Sequence, residues 1–196
     1  MAASSLLLII AYGMNGILGA TCPNPPGAAN YTNVLFNKLW YEIGKIQTKG
    51  GAFFERDCVC TNIGVAFNST SVVTSNATVN NICNKLTPDG QKLIAISEIM
   101  PIDQTKETGK FKEMFISPNE PGVVAYNVIF ISDTASVEYD CEENNNGVIN
   151  YCFHILSTTP TMSQSEVDNI LKLVDEYNLN PEGLPYKKTN QTGCKY

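Results

Sequence analysis

The sequence predicts an all-β protein, an eight-stranded antiparallel up-and-down barrel with one C-terminal helix packed outside. The first observation behind that class is a run of turn signals: Asn68-Ser69-Thr70, Pro88-Asp89-Gly90, Thr108-Gly109, Asn119-Glu120-Pro121-Gly122, Asp133-Thr134 and Asn144-Asn145-Asn146-Gly147. Between them lie stretches rich in Val, Ile, Thr and Phe, which predict strands at about 39–47, 58–67, 71–85, 91–100, 110–117, 123–132, 135–141 and 148–157. Consecutive hairpins make a meander, and eight such strands can bury their edges by closing into a barrel that has room for one small ligand. The second observation is a change of period after Pro160. Ser163 with Glu166 forms a capping box, and Val167, Ile170, Leu171 and Val174 then recur at helical spacing, so one amphipathic helix lays its apolar stripe on the barrel. A tail with Pro and Gly follows and ends near Cys194.

With 196 residues, 43% hydrophobic and 16% charged, the chain can bury a full core as a single domain. Thirteen Lys plus Arg against nineteen Asp plus Glu give a net charge of −6, with no basic patch, so nucleic acid and anionic membranes are poor partners. Arg56 is the only arginine and His154 the only histidine, which removes bidentate phosphate clamps and multi-histidine metal sites. No metal and no cofactor are expected.

Residues 1–20 resemble a secretory signal: an apolar run from Leu6 to Tyr12, a break from Gly13 to Gly16, and a Leu18-Gly19-Ala20 cleavage site. The expected organisation is therefore a signal peptide at 1–20, a single barrel domain at 21–196 and a secreted, extracellular product without a membrane span. Seven cysteines, all after Ala20, fit an oxidising compartment and imply disulfides with one thiol left over. The Cys58-Val59-Cys60 spacing lacks the second close pair that zinc needs. Sequons at Asn30, Asn68, Asn76 and Asn190 are candidate glycosylation sites in a secreted chain.

Cys22-Pro23-Asn24-Pro25-Pro26 followed by Leu39-Trp40-Tyr41-Glu42-Ile43 resembles the start of a lipocalin, and Phe54 to Cys58, Tyr139-Asp140-Cys141 and Asn190 to Cys194 extend the likeness over the mature chain. Within that family the similarity is to the apolipoprotein D-like members. Three departures stand out. Lys38 occupies the place of the family's G-x-W glycine, Ser132-Asp133 is what remains of its T-D-Y, and Thr158 replaces the basic residue that covers the tryptophan. Loss of that cation–aromatic contact is expected. The resemblance implies a structural Trp40 at the barrel floor, a Cys22–Cys141 bridge and a Cys58–Cys194 bridge. Cys60–Cys83, across neighbouring strands, is a candidate third bridge.

Side chains alternate across a strand, so one anchored residue sets the inward face. If Cys58 faces out toward the tail, as the resemblance implies, then Val59, Thr61, Ile63, Val65 and Phe67 face in. Placing Asn127 outside points Tyr126, Val128 and Phe130 inward. The resemblance aligns His154 with a ligand-contacting position, and parity adds Cys152 and Leu156. The expected lumen is an apolar cup with Tyr126, Thr61, His154 and a thiol as its few polar groups, and without a luminal Lys or Arg.

Such a cup fits a secreted carrier of a small hydrophobic ligand, whether lipid, retinoid, sterol or bilin pigment. Two alternatives belong to other classes. Cys152 and His154 share a face, which suggests a luminal-thiol enzyme of the prostaglandin D synthase type. The loops could instead make the chain a protein inhibitor. No catalytic residue is assigned.

Overall fold

The structure, a computed structural model, describes residues 21–116, 123–144 and 146–196. The signal-like segment 1–20 and the turn at 119–122 lie outside the described residues. A short helix α1 (Asn33–Phe36) precedes β1 (Leu39–Gln47), β2 (Cys58–Phe67), β3 (Ala77–Lys85), β4 (Lys92–Pro101), β5 (Lys110–Phe115), β6 (Val123–Ile131), β7 (Ala135–Glu143) and β8 (Ile149–Ser157). Helix α2 (Gln164–Glu176) and a two-residue β9 (Lys187–Lys188) complete the chain. All neighbours from β1 to β8 pair antiparallel, and β1 pairs with both β2 and β8, so the sheet closes. The eight barrel strands agree with the expected ones except at β3, which begins at Ala77 and not at 71. Residues 68–76 close on themselves instead: Asn68 N–H donates to Asn76 O at 3.0 Å and Ser69 N–H to Ser75 Oγ at 2.8 Å.

Helix α2 starts as the sequence predicts. Ser163 Oγ accepts from Glu166 N–H and the Glu166 carboxylate from Ser163 N–H, satisfying two amide groups that the first turn leaves unpaired. Val167, Ile170 and Val174 are buried against Val137, Tyr139, Phe153 and Ile155 on the outer face of β7 and β8. A second apolar cluster fills the lower lumen, where Phe36, Trp40, Phe111, Val128 and Leu156 meet from α1 and four strands. Trp40 Nε1 donates to Phe36 O at 3.1 Å, which ties α1 beneath the barrel as its floor.

Lys38 Nζ lies 5.0 Å from the centroid of the Trp40 ring and donates to Asp133 O at 3.3 Å. The cation over the tryptophan is thus not lost with Thr158. It comes from the position at which the lipocalin motif has glycine, and contributes on the order of 1 kcal/mol.

Three β-bulges decide which side chains enter the lumen: between Glu42 and Gly44 in β1, between Val59 and Asn62 in β2, and between Val128 and Phe130 in β6. A bulge adds one residue and reverses the faces beyond it. In β2 the bulge sits at Cys60, whose φ of 56° places it in the left-handed region. Cys60 points out to the tail, donating its N–H to Asn190 O at 2.9 Å and bonding to Cys194. The reversal returns Cys58 to the face of Val79, Asn81 and Cys83, and Cys58 bonds to Cys83. The expected Cys58–Cys194 and Cys60–Cys83 bridges are therefore corrected to Cys60–Cys194 and Cys58–Cys83, because strict alternation fails at the bulge. Cys22 and Cys141, the pair the resemblance implied, are joined, and among the described residues Cys152 is free and buried.

Non-reducing peptide mapping is expected to recover Cys60 linked to Cys194 and Cys58 linked to Cys83. Recovery of Cys58 linked to Cys194 would place the β2 bulge elsewhere. Alkylation without reductant should modify Cys152 alone, and only after denaturation.

Candidate ligand site in the barrel lumen

β1 and β2 pair only from Leu39 to Tyr41 with Asn62 to Gly64, and above that point the seam opens. The C-terminal tail fills it. Gln191 Nε2 donates to Glu42 O and to Thr61 O, each at 2.7 Å, while Thr189 N–H donates to Ile43 O at 3.0 Å. Cys60–Cys194 pins this plug. At the mouth, Thr48 N–H donates to Tyr151 O at 3.0 Å and Gly51 packs so closely on β8 that a Cβ there would lie 2.0 Å from Tyr151 O. That contact draws residues 50–55 over the opening and sends the buried Glu55 side chain down into the lumen.

Above the apolar floor, the strands present a layer of ionisable groups. The β1 bulge lets Glu42 and Lys45, three apart, both face in. Lys45 Nζ sits 3.3 Å from Glu42 Oε1, 3.1 Å from Glu55 Oε2 and 3.0 Å from Glu55 O. His154 Nδ1 lies 2.8 Å from Glu42 Oε2, and its Nε2 lies 3.7 Å from Asp140 Oδ2. Thr189 Oγ1 also donates to Glu42, and Asn81 Nδ2 to Glu55. Across the lumen, Ser97 Oγ donates to Glu113 Oε1 at 2.5 Å. Glu138 Oε1, Asp140 Oδ1, Asn81 Oδ1 and the Tyr126 hydroxyl have no protein partner.

Two carboxyl populations result. Burial pushes Glu42 up, but the Lys45 ammonium and the His154 contact outweigh it and hold the carboxyl well below the usual range. Burial would lower Lys45, yet Glu42 and Glu55 raise it. Burial dominates at Glu113 and Glu138 and pushes each to about 7, with the Ser97 hydrogen bond offsetting part of the rise at Glu113. Asp140 is also raised well above the carboxylate range, by burial and then by Glu113. Burial would lower His154, but Cys152, Glu55 and Glu42 beside it raise it well above 6.5. Burial lifts the Cys152 thiol to about 11, so it is protonated at neutral pH and makes a poor nucleophile. Glu42, Glu55 and His154 place ligand atoms within 4.8 Å of one another, as a metal site would. The Lys45 ammonium already stands against both carboxylates, supplying the charge a metal ion would bring.

These groups surround a cavity of about 50 Å³. Ile63, Val79, Ala95 and Val124 supply its apolar wall, Glu113, Glu138, Asp140 and Tyr126 its polar wall, and Phe54 and Phe115 lie on the side of the mouth. Of the residues expected to contact ligand, Ile63, Tyr126, Cys152 and His154 line this cavity. Val65, Phe67, Val128 and Leu156 point into the barrel but are packed in the floor cluster below it. Phe130 is the error. The β6 bulge turns it outward, where it is 37% exposed beside Ile170 and Leu173 of α2. Thr61 is fully buried in the lumen, whereas Val59, beyond the β2 bulge, is only half buried.

The expectation of an apolar cup without Lys is also corrected. Glu42, Lys45, Glu55, Asn81, Ser97, Glu113, Glu138 and Asp140 were missed as luminal residues. One signal was present: if Cys141 faces outward to Cys22, alternation sends Glu138 and Asp140 inward. The apolar residues of β7 misdirect that reading, because Val137 and Tyr139 are buried under α2 on the outer face. Among the sequons, Asn30, Asn68 and Asn190 are exposed, and half-buried Asn76 donates to Glu98 Oε1 at 2.8 Å.

No family model matches the chain, and no curated protein matches it in sequence. Solved structures do. Insecticyanin from the tobacco hornworm Manduca sexta superposes with a TM-score of 0.66 at 17% identity, covering 90% of each chain. The chain has the lipocalin fold. Lobster apocrustacyanin A1 gives a TM-score of 0.60 at 12% identity, covering 88% of this chain and 94% of its own. Apocrustacyanin C1 gives 0.60 at 12%, covering 89% and 93%. At such identities the likeness establishes the lipocalin architecture and leaves the ligand to be read from the lumen. Among the described residues, no helix is long and apolar enough to cross a membrane.

Proposed function

We propose that the chain is a secreted lipocalin-fold carrier that binds one small organic molecule in the upper half of its lumen. The observation that carries this reading is the cavity itself. It is enclosed by the barrel strands, reached from the 50–55 side, and lined by hydrogen-bonding atoms that no protein group satisfies. A natural protein keeps such atoms buried only where something else pairs with them. Three disulfides support export to an oxidising compartment. The cavity, about 50 Å³, is far below the roughly 300–1,000 Å³ of pockets that bury drug-sized ligands, which favours a compact ligand over an extended bilin or sterol. The protonated state of Cys152 weighs against a luminal-thiol enzyme.

The test is extraction of the protein from its native source with organic solvent, with mass spectrometry of the extract, alongside calorimetric titration of the purified chain with indole, a small neutral aromatic probe. Near-stoichiometric recovery of one small molecule, and indole binding abolished by the cavity-filling Ala95→Phe, are expected. An empty extract together with indole binding unaffected by Ala95→Phe would remove the lumen as the binding site.

A further inference from the structure

Resting on the luminal reading above, we infer that the ligand is a small organic amine bound as its ammonium ion, with the charged head among Glu113, Glu138 and Asp140 and an aromatic or aliphatic body toward Phe54 and Phe115. The charge inventory of the lumen carries the first half. Lys45 and His154 stand against Glu42 and Glu55, which leaves Glu113, Glu138 and Asp140, among the described residues, to share only the field of that same His154, 3.7 Å from Asp140. The second, independent observation is the set of unpartnered acceptors. Glu138 is 1% exposed and Tyr126 2% exposed, both line the cavity, and the two side chains stand close enough to act on each other without closing a hydrogen bond, so Glu138 Oε1, the Tyr126 hydroxyl and Asp140 Oδ1 are left without a partner in the protein. An ammonium group brings three donors and a positive charge to them. A neutral hydrocarbon would leave these groups unpaired, and a fatty-acid carboxylate, though a protonated carboxyl could donate to it, would add a further acid to a lumen whose cations Lys45 and His154 already stand against Glu42 and Glu55.

The opposite wall decides between an organic and an inorganic cation. A hard metal ion takes about 6–8 oxygen ligands around it. Here Ile63, Val79 and Val124 face the carboxyl groups, so one side of the site is hydrocarbon. The enclosed volume, about 50 Å³, holds an ammonium head and little more, and the rest of the molecule must extend toward the mouth. Phe54 and Phe115 meet there at a centroid distance of 6.1 Å with planes at 73°, an arrangement that can receive an aryl or alkyl group. Because burial raises Glu113 and Glu138 to about 7, a seated ammonium also draws these groups toward the ionised form and expels protons to solvent.

The experiment titrates the purified chain at pH 7 with 2-phenylethylamine, with its neutral counterpart 2-phenylethanol, and with 3-phenylpropionate, by calorimetry in two buffers of different ionisation enthalpy. The amine is expected to bind about tenfold or more tighter than the alcohol, with proton release, and the acid not at all. Glu138→Gln should weaken the amine about tenfold while leaving the alcohol unchanged, which also reports that the variant is folded. Equal affinity for amine and alcohol, unchanged amine affinity in Glu138→Gln, or displacement of the amine by Zn²⁺ or Ca²⁺ would overturn the amine assignment while the luminal site stands. Binding of none of the three together with failure to bind indole would take down the luminal reading itself.

Discussion

Lys45→Met is expected to lower the stability of the barrel by about 3–5 kcal/mol at pH 7, the cost of removing one partner from a buried ion pair. At the size of this chain that is a fall in Tm on the order of 10 °C. The reason is the position of Lys45 between two carboxylates that are both fully buried, Glu42 and Glu55, at 3.3 and 3.1 Å. Without the ammonium, those two acids are left, among the described residues, with only His154 as a nearby cation. Methionine keeps most of the side-chain volume, so the loss reports charge and not a cavity. Two controls follow. The deficit should shrink toward pH 5, where Glu42, stripped of the ammonium that outweighs its burial, can take up a proton, and adding Glu55→Gln should recover part of it. Unfolding in urea, followed by circular dichroism at several pH values, measures all three. A loss below about 1 kcal/mol would be the value of a solvated surface pair and would put Lys45 outside the barrel interior.

Stability is expected to fall as pH rises from about 5 to 8, and the sign follows from the direction of each shift. Glu113 and Glu138 are raised in the folded state from 4.5 to about 7. Their contribution is fully present below the unfolded value and is lost as pH climbs through the folded one. Each loses roughly 3 kcal/mol across that window, and Asp140, raised in the same sense, adds to the fall. Glu42 works in the opposite direction. Its carboxyl is held low, so its contribution persists above the unfolded value and is lost only well into acid. The stability maximum therefore sits on the mildly acidic side of neutrality. Urea midpoints at pH 5, 6, 7 and 8 should descend in the wild type and flatten in Glu113→Gln and Glu138→Gln. Equal midpoints at pH 5 and pH 8 would show that these carboxyls are hydrated.

The architecture was legible because it rests on local chemistry. Turn clusters such as Pro88-Asp89-Gly90 and the capping box at Ser163 and Glu166 act within a few residues, and the structure agrees with both. The floor was legible for a related reason: Trp40 follows a motif whose packing role depends on its place in β1. Side-chain direction beyond a bulge was not legible. Nothing in Cys58-Val59-Cys60 announces the left-handed residue that exchanges the partners of Cys58 and Cys60, and nothing in Val128-Ile129-Phe130 announces the turn that expels Phe130.

The sequence by itself determined the strand count, the closing helix, the odd thiol and the inward face of Tyr126. The inward faces of Cys152 and His154 came with the lipocalin resemblance, and that of Ile63 holds although the Cys58 that anchored it faces Cys83, because the bulge at Cys60 cancels the error. Only the tertiary structure decided what the lumen is made of. Helix α2 covers the outer face of β7 and β8, so the larger apolar residues there are buried without entering the barrel, and Glu138 and Asp140 are left to face in. Glu55 enters from a loop, and the partners of Glu42 come from residues as distant as Thr189. A linear pattern assigns apolar residues to the inside, but when both faces of a strand are buried, which face receives the charges depends on what the rest of the chain brings to neutralise them.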